Sequence, residues 1–312
     1  MRVLITGING FIGYWLTHGL LHEGKTVFGL SRTNVGIDQR VKIYQGDLLD
    51  QSKIKRIIRM LRPDAIYHLA AQSNIPYSFS HPQDTVHVNV NGTLNLLDCI
   101  RTACPKTRLI SIGSSAEYGW TAQTNHKLAE DAPLRPSSPY AVTKVAQGNL
   151  TQIYRNGYGL RITHVRPFAI IGPRKMKDAV SDFARGIVAI EQGKKNVLPV
   201  GDISQVRDFM DVRDAVRALT TVADKGTTLS MVNICSGSGI SLEKVLKQLV
   251  LLAKTRIVIR KDPARIRAIE DMVLVGDPRK LCSLKFVAKF TLAQTLSDIL
   301  AFWRQTEELP HD

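Results

Sequence analysis

The chain opens on an apolar run that ends in a glycine turn. Val3-Leu-Ile-Thr6 is followed by Gly7-Ile-Asn-Gly10-Phe-Ile-Gly13 and then by an amphipathic stretch to His22. Strand, turn and helix in this order leave few ways to fold. Gly7 permits a tight turn, Gly10 lets backbone approach a ligand, and Gly13 lets helix and strand pack closely. The free N–H groups and positive dipole end of the helix then face whatever the turn holds, which suits a dinucleotide pyrophosphate. The alternative, a glycine-rich turn without a ligand, is weakened by the strand before it and the helix after it.

The first half continues the alternation. Strands are expected at Val3–Thr6, Thr26–Ser31, Val41–Tyr44, Ala65–Leu69, Arg108–Ile112 and Arg161–Arg166. Between them lie helices at Phe11–His22, Ser52–Met60, Thr85–Thr102 and Tyr140–Gly157. This pattern predicts an α/β fold, a Rossmann-type doubly wound parallel sheet covered on both faces. After Gly172-Pro173 the elements shorten, with helices near Ser181–Gln192, Asp211–Thr221 and Leu242–Ala253. We therefore expect a cofactor-binding domain over residues 1–170 that carries the reactive groups. Residues 171–312 would form mainly a smaller α/β substrate-binding lobe, with some segments returning to the sheet.

Composition excludes several classes. No run approaches 18 apolar residues, so no membrane span is expected. The N-terminal run is too quickly interrupted to be a signal peptide. Cys99, Cys104, Cys235 and Cys282 show no CxxC spacing, and His68, His81 and His87 form no ligand pattern, so no metal site is expected. Free thiols suit a reducing, cytoplasmic setting. The net charge of +15 invites a nucleic-acid reading. The basic residues are scattered, however, and no nucleic-acid motif accompanies them. A positive field also favours capture of a phosphorylated small ligand.

The end of the second strand bears on which dinucleotide is held. An acid there would hold a ribose 2′-hydroxyl, but the chain has Leu30-Ser31-Arg32-Thr33. Ser31 can donate to a 2′-phosphate and Arg32 can pair with it, so NADP(H) is expected, with NAD(H) as the alternative. The competing reading makes Arg32 a plain surface charge. Asp47 lies one strand later, where it would accept from the adenine amine. The candidate cofactor set is Gly7, Asn9, Gly10, Phe11, Ile12 and Gly13 in the turn. To these are added Ser31, Arg32, Asp47 and Leu48 beside it, Leu69, Ala70, Ala71 and Asn89 further on, and Tyr140 and Lys144.

Ser138-Pro139 reads as a helix start, which puts Tyr140 and Lys144 at i and i+4 on one face. An ordinary phenol has a pKa of about 10. A neighbouring ammonium and a cationic nicotinamide would both lower it and make Tyr140 a usable proton donor and acceptor. Ser114, at the end of the Arg108–Ile112 strand, would hold the same substrate oxygen, and Lys144 would also hold the nicotinamide ribose. The candidate catalytic residues are Ser114, Tyr140 and Lys144.

With these motifs in place, the chain resembles an extended short-chain dehydrogenase/reductase over nearly its whole length. Ile112-Gly-Ser-Ser-Ala-Glu-Tyr-Gly119, Arg207-Asp-Phe-Met-Asp-Val-Arg-Asp214 and Val232-Asn-Ile-Cys-Ser-Gly237 resemble the branch of GDP-mannose 4,6-dehydratases and GDP-4-keto-6-deoxy-mannose reductases. The resemblance implies a nucleotide-diphosphate sugar as substrate and a homodimer built on a four-helix interface from the helices near 85–102 and 140–157. It also implies substrate contacts from Arg207, Arg267 and Glu270, and Ser115, Ala116 and Arg174 are further substrate-contact candidates. Dehydratases of this branch carry Thr-x-Glu at the strand end, where the glutamate removes the C5 proton. Alignment on Tyr118-Gly119 puts Ala116 there instead. Glu117 falls one residue late and in extended chain would point to the other face, although a slip of register would bring it back. Ala169 replaces an asparagine whose amide contacts the diphosphate. The resemblance thus favours NADP(H)-dependent reduction of a nucleotide-linked 4-keto-6-deoxy sugar, GDP-4-keto-6-deoxy-D-mannose to GDP-D-rhamnose, for glycan or lipopolysaccharide assembly. A GDP-mannose 4,6-dehydratase or another nucleotide-sugar epimerase or reductase is the alternative. A binding protein that kept the fold and lost the chemistry would not be expected to keep Ser114, Tyr140 and Lys144 together.

Overall fold

Apolar, β-branched runs too short for helices build the first strands, and burial on both faces makes them central. In β1 (Arg2–Thr6) every residue from Val3 onward is buried, and in β4 (Ala65–His68) and β5 (Arg108–Ile112) all are. The computed structural model describes residues 1–123, 126–265 and 273–307. The other elements of the first half are α1 (Phe11–His22), β2 (Thr26–Ser31), β3 (Lys42–Gln45), α2 (Gln51–Leu61), α3 (Ile75–Ser80), α4 (Pro82–Val86), α5 (Gly92–Ala103), α6 (Pro139–Tyr158) and β6 (Ile162–Pro167). The second half adds β7 (Ala169–Ile171), α7 (Ala179–Glu191), β8 (Leu198–Val200), β9 (Val206–Asp211), α8 (Val212–Lys225), β10 (Met231–Ile234) and β11 (Gly239–Ser241). It ends with α9 (Leu242–Leu251), β12 (Ile259–Lys261), β13 (Val273–Leu274), α10 (Arg279–Ser283) and α11 (Leu292–Glu307).

Seven strands pair in the order β3-β2-β1-β4-β5-β6-β10, every neighbour parallel. The strand order reverses between β1 and β4, so the connections leaving their carboxyl ends part to opposite faces and open a crevice. One face of the sheet packs Val3, Ile5, Leu16 and Leu219 beneath α1 and α8. The other packs Leu4, Ile58, Leu97 and Ile162 beneath α2, α5 and α6. A separate core, with Phe183, Ile187, Leu246, Leu300 and Trp303, joins α7, α9 and α11. Residues beyond 170 are therefore shared: β10 is the sheet's edge strand and α8 covers α1, while α7, α9 and α11 form their own lobe. No described helix is long and apolar enough to cross a membrane.

The structure departs from the expected elements at two places that matter for the site. The single helix expected over 85–102 is α4, a π-turn at His87–Asn91 and then α5. The wider turn carries Asn89 inward, where its amide brackets the backbone of Gln72 (2.8 and 3.0 Å) and donates to Thr143 Oγ1 (3.0 Å). After β5 the chain does not run on extended. It curls into a 3₁₀ turn at Ser115–Glu117, capped by Ser114.

β5 is tied to α8 by a buried guanidinium. Arg108 Nη2 donates to Thr163 Oγ1 (2.8 Å) and to the Gly226 carbonyl (2.8 Å), and Nη1 to the Thr227 carbonyl (3.3 Å). The Gly226 carbonyl caps the negative end of α8, and burial pushes the guanidinium down to about 10. Replacing it with Met would strand the carbonyls. We expect Arg108→Met to lower the unfolding free energy by roughly 2–3 kcal/mol in chemical denaturation, with the slope of the transition unchanged.

Candidate active site

A cavity of about 630 Å³ opens along the carboxyl ends of β1, β2, β4 and β5. Gly7 has φ +70°, and a Cβ there would lie 2.7 Å from Ala70 N, so only glycine allows β1 and β4 to close this near the turn. A Cβ at Gly13 would overlap the carbonyls of Gly7 and Ile8. Gly10 caps α1 without a side chain, and no acid stands in the first turn. The first-turn N–H groups are therefore left to meet an anion in the cavity. These features fit a dinucleotide, whose pyrophosphate would be held by Gly10, Phe11 and Ile12.

At one end the cavity is lined by Leu30, Ser31, Arg32, Thr33, Gly46, Asp47 and Leu48. Asn9 Nδ2 donates to Ser31 Oγ (3.1 Å) and Thr33 Oγ1 (3.2 Å), tying the glycine turn to the end of β2. Arg32 is exposed, and its carbonyl is anchored by Gln45 Nε2 (2.9 Å). Asp47 Oδ1 accepts from Leu49 N (3.0 Å), which leaves its other oxygen to a ligand. Leu69, Ala70 and Ala71 line the middle.

At the other end lie Ser114, Tyr140 and Lys144. Ser138 Oγ accepts from Ala141 N (3.2 Å) and Pro139 occupies the first turn, so α6 starts where Tyr140 must face β5. The Ser114 hydroxyl and the Tyr140 phenol are hydrogen-bonded. Burial pushes the phenol up to about 12, the Ser114 bond opposing it. The depression expected from Lys144 is not what this chain's own groups produce. Lys144 Nζ is directed to the Ile112 carbonyl (2.7 Å) and Gln147 Oε1 (2.9 Å), 6.0 Å from the tyrosine ring centroid. Its own burial, opposed by Glu117, lowers it to about 8. At neutral pH Tyr140 therefore holds its proton and can give it away.

Several expected site residues lie elsewhere. Asn89 is 1% exposed and does not line the cavity; it braces the loop at Gln72 and α6 from behind. Ser115 is buried, and neither it nor Ala116 lines the cavity, because the 3₁₀ turn folds both away from its wall. Arg174 stacks its guanidinium 3.9 Å over the Tyr14 ring on the outside of α1. The next residues, Lys175 and Lys177, line the cavity instead. Arg207 lies on β9 outside this cavity and donates to Gln205 Oε1 (2.8 Å). Arg267 and Glu270 fall outside the described residues. The sequence reading missed Ser73, Val88, Pro167, Phe168 and Ile170, which also form the wall. Pro167, Phe168 and Ile170 follow from the carboxyl end of β6, whereas Ser73 in the loop after β4 and Val88 in the π-turn carried no local signal.

Glu117 is fully buried behind Ser114. Its Oε1 accepts from Ser114 N (2.9 Å) and pairs with His164 Nε2 (3.0 Å), and Oε2 accepts from Arg166 Nε (2.7 Å). It does point away from the cavity, but because the turn reverses, not because an extended strand alternates.

A family model described as GDP-mannose 4,6 dehydratase matches residues 4–299. The chain belongs to this family, among the extended short-chain dehydrogenases/reductases. It is 32% identical to a GDP-6-deoxy-D-mannose reductase of Pseudomonas aeruginosa, over 97% of each chain. It is 30% identical to a GDP-mannose 4,6-dehydratase of Vibrio cholerae, over 96% of this chain and 92% of that one. In structure it is similar to RMD from Pseudomonas aeruginosa complexed with NADPH, with a TM-score of 0.86, 29% identity and 98% and 99% coverage. It is also similar to a UDP-glucose 4-epimerase of Thermus thermophilus in complex with NAD, with a TM-score of 0.87, 28% identity and 97% and 99% coverage. The family unites reductases, dehydratases and epimerases on one scaffold, so the site has to decide among them.

The Lys144 shift gives a stability test. Its folded pKa, about 8, is below the ordinary value of 10.5. Between the two, the unfolded chain binds more protons, so this residue destabilises the fold below about 8 and ceases to do so as pH rises toward 10.5. Denaturation at pH 7.5 and 9.5 should show the wild type gaining about 2 kcal/mol relative to Lys144→Met over that interval.

Proposed function

We propose that this protein is an NADP(H)-dependent reductase of a nucleotide-linked 4-keto-6-deoxy sugar, converting GDP-4-keto-6-deoxy-D-mannose to GDP-D-rhamnose. The observation that carries this is the distribution of carboxylates. Among the described residues that line the cavity, Asp47 is the only acid, and it lies at the end away from Tyr140. The elimination catalysed by a dehydratase needs a base beside the sugar ring. Ala116 stands where the resemblance puts that base, and Glu117 is committed to Ser114, His164 and Arg166.

Hydride transfer needs no carboxylate beside the sugar ring. The cofactor, when bound, supplies the hydride. Ser114 donates to the sugar carbonyl oxygen and fixes it, and Tyr140 passes its proton to that oxygen as it becomes a hydroxyl. Lys144 would hold the nicotinamide ribose and offset the charge left on the phenolate. A phenol raised by burial suits the acid role, which is the direction a reduction requires. Ser31 and Arg32 at the end of β2 support NADP(H) over NAD(H), as does the NADPH in the structure of RMD. Residues 1–170 would carry the cofactor and the reactive groups. The remainder would mainly bind the nucleotide, with Arg207, Arg267 and Glu270 as its contacts.

A 4,6-dehydratase is the second reading, favoured by the family model and by the Vibrio relative. Supplying GDP-mannose alone separates the two. The reductase leaves it unchanged and oxidises NADPH only when the 4-keto sugar is added, whereas a dehydratase consumes GDP-mannose with no net change in cofactor. Tyr140→Phe should lower the reduction rate by about 10²–10⁴-fold while NADPH still binds; turnover at the wild-type rate would remove the assigned acid.

The protein is read as a cytoplasmic homodimer serving glycan or lipopolysaccharide assembly. Supporting this, all four cysteines are free thiols. Leu94 on α5 and Val142, Ile153 and Tyr158 on α6 are exposed apolar side chains on the two helices expected to pair across a two-fold axis. Light scattering should find a dimer for the wild type and a monomer for Val142→Glu/Ile153→Glu.

A further inference from the structure

We propose that Glu117 is a positioning residue for the reaction: one buried carboxylate fixes Ser114 directly and Lys144 through Gln147, Ser111 and His164. This rests on the reductase reading above. The links can be followed atom by atom. Lys144 Nζ donates to Gln147 Oε1 (2.9 Å), and Gln147 Nε2 donates to Ser111 Oγ (2.8 Å). The Ser111 hydroxyl meets His164 Nδ1 at 3.4 Å, the longest link, and His164 Nε2 meets Glu117 Oε1 at 3.0 Å. The same carboxylate accepts from Ser114 N (2.9 Å).

The donors all run one way. With Ser111 giving its proton to Nδ1, the imidazole must donate from Nε2, and Glu117 becomes the terminal acceptor of the whole chain. Arg166 Nε donates to its second oxygen (2.7 Å), so the charge is matched without any group from the cavity. None of Ser111, Gln147, His164 and Glu117 is more than 1% exposed, and none lines the cavity. Space for the pair is reserved by two glycines: a Cβ at Gly113 would overlap Glu117 and His164, and one at Gly148 would crowd His164 Nε2 at 3.1 Å. A chain closed to water holds its members in one arrangement, because every alternative leaves a buried donor unmet. Ser114 and Lys144, on different elements, are thus held to a common point, and their separation across the substrate is fixed.

The test uses Gln147→Met and Ser111→Ala, which cut the chain away from the cavity, together with Glu117→Gln, whose amide offers donors where the neighbours also donate. Two readouts are taken. The first is kcat for NADPH-dependent reduction. The second is the titration of Lys144, followed by NMR of protein labelled with ¹³C-lysine, which needs no turnover. The titratable groups that act on the Lys144 ammonium or lie beside it are Glu117 from the 3₁₀ turn, His68 from β4 and Tyr140 on its own helix, with His164 of β6 reached through Gln147 and Ser111. Only the first is a carboxylate. We expect kcat to fall about ten- to hundredfold, with KM for the keto sugar within about twofold. The Lys144 titration should move to lower pH in Gln147→Met, where the ammonium keeps only the Ile112 carbonyl as acceptor, and in Glu117→Gln, where it loses its counter-charge. Should Glu117→Gln not fold, Gln147→Met and Ser111→Ala carry the comparison. An unmoved Lys144 titration with wild-type kcat in those two variants overturns the proposal. A wild type that reduces no 4-keto sugar, with the Lys144 titration still displaced in Gln147→Met, overturns the reductase reading and leaves the buried chain standing.

Discussion

The approach of β1 to β4 at the glycine turn governs everything above it. Gly7 in the left-handed region lets the chain leave β1 against the backbone of Ala70, where any side chain would collide. That contact seats the N-terminus of α1 over the reversal in strand order, and the crevice exists because the two strands send their connections to opposite faces. A larger residue at that point would move α1, and with it the donors facing the cavity and the side chains of Asn9 and Phe11. The strand end bearing Ser114 is two strands away in the same sheet, so its position relative to the glycine turn is set by sheet geometry.

The fold was largely legible in the sequence because buried parallel strands leave a local signature. Phe11–His22, Thr26–Ser31 and Arg108–Ile112 carry continuous or amphipathic apolar patterns whose period is intrinsic to the segment, and each appears with the expected bounds. The π-turn at His87–Asn91 was not legible. Its cause is a contact between Asn89 and residues 17 and 54 positions away, which no window on the local sequence contains. The same holds for the 3₁₀ turn after β5. An extended continuation and a capped turn read alike until Arg166 and His164 are brought alongside Glu117 by the pairing of β5 with β6.

Within the site, motif residues were readable where backbone conformation makes the demand: Gly7, Gly10, Gly13, and the Ser138-Pro139 start that aims Tyr140. Side-chain direction was less readable. Arg174 has a positive φ of 73° and stacks on Tyr14, leaving the cavity wall to Lys175 and Lys177. Charge in that loop was legible, but which residue faced inward depended on the turn. The phenol shows a similar split. Neighbouring charge is visible in sequence spacing, whereas burial, which dominates Tyr140, is a property of the assembled fold.

The chain crosses between its two cores more than once. After β7 it enters the second lobe, then returns through α8 and β10 to the main sheet, and Leu281 and Phe286 join that first core again before α11 closes the second. Removing everything beyond β6 would strip an edge strand from the sheet and uncover the outer side of α1. The residues beyond 170 therefore cannot be exchanged as one block without also rebuilding part of the sheet that frames the cavity, since no single junction separates the two cores.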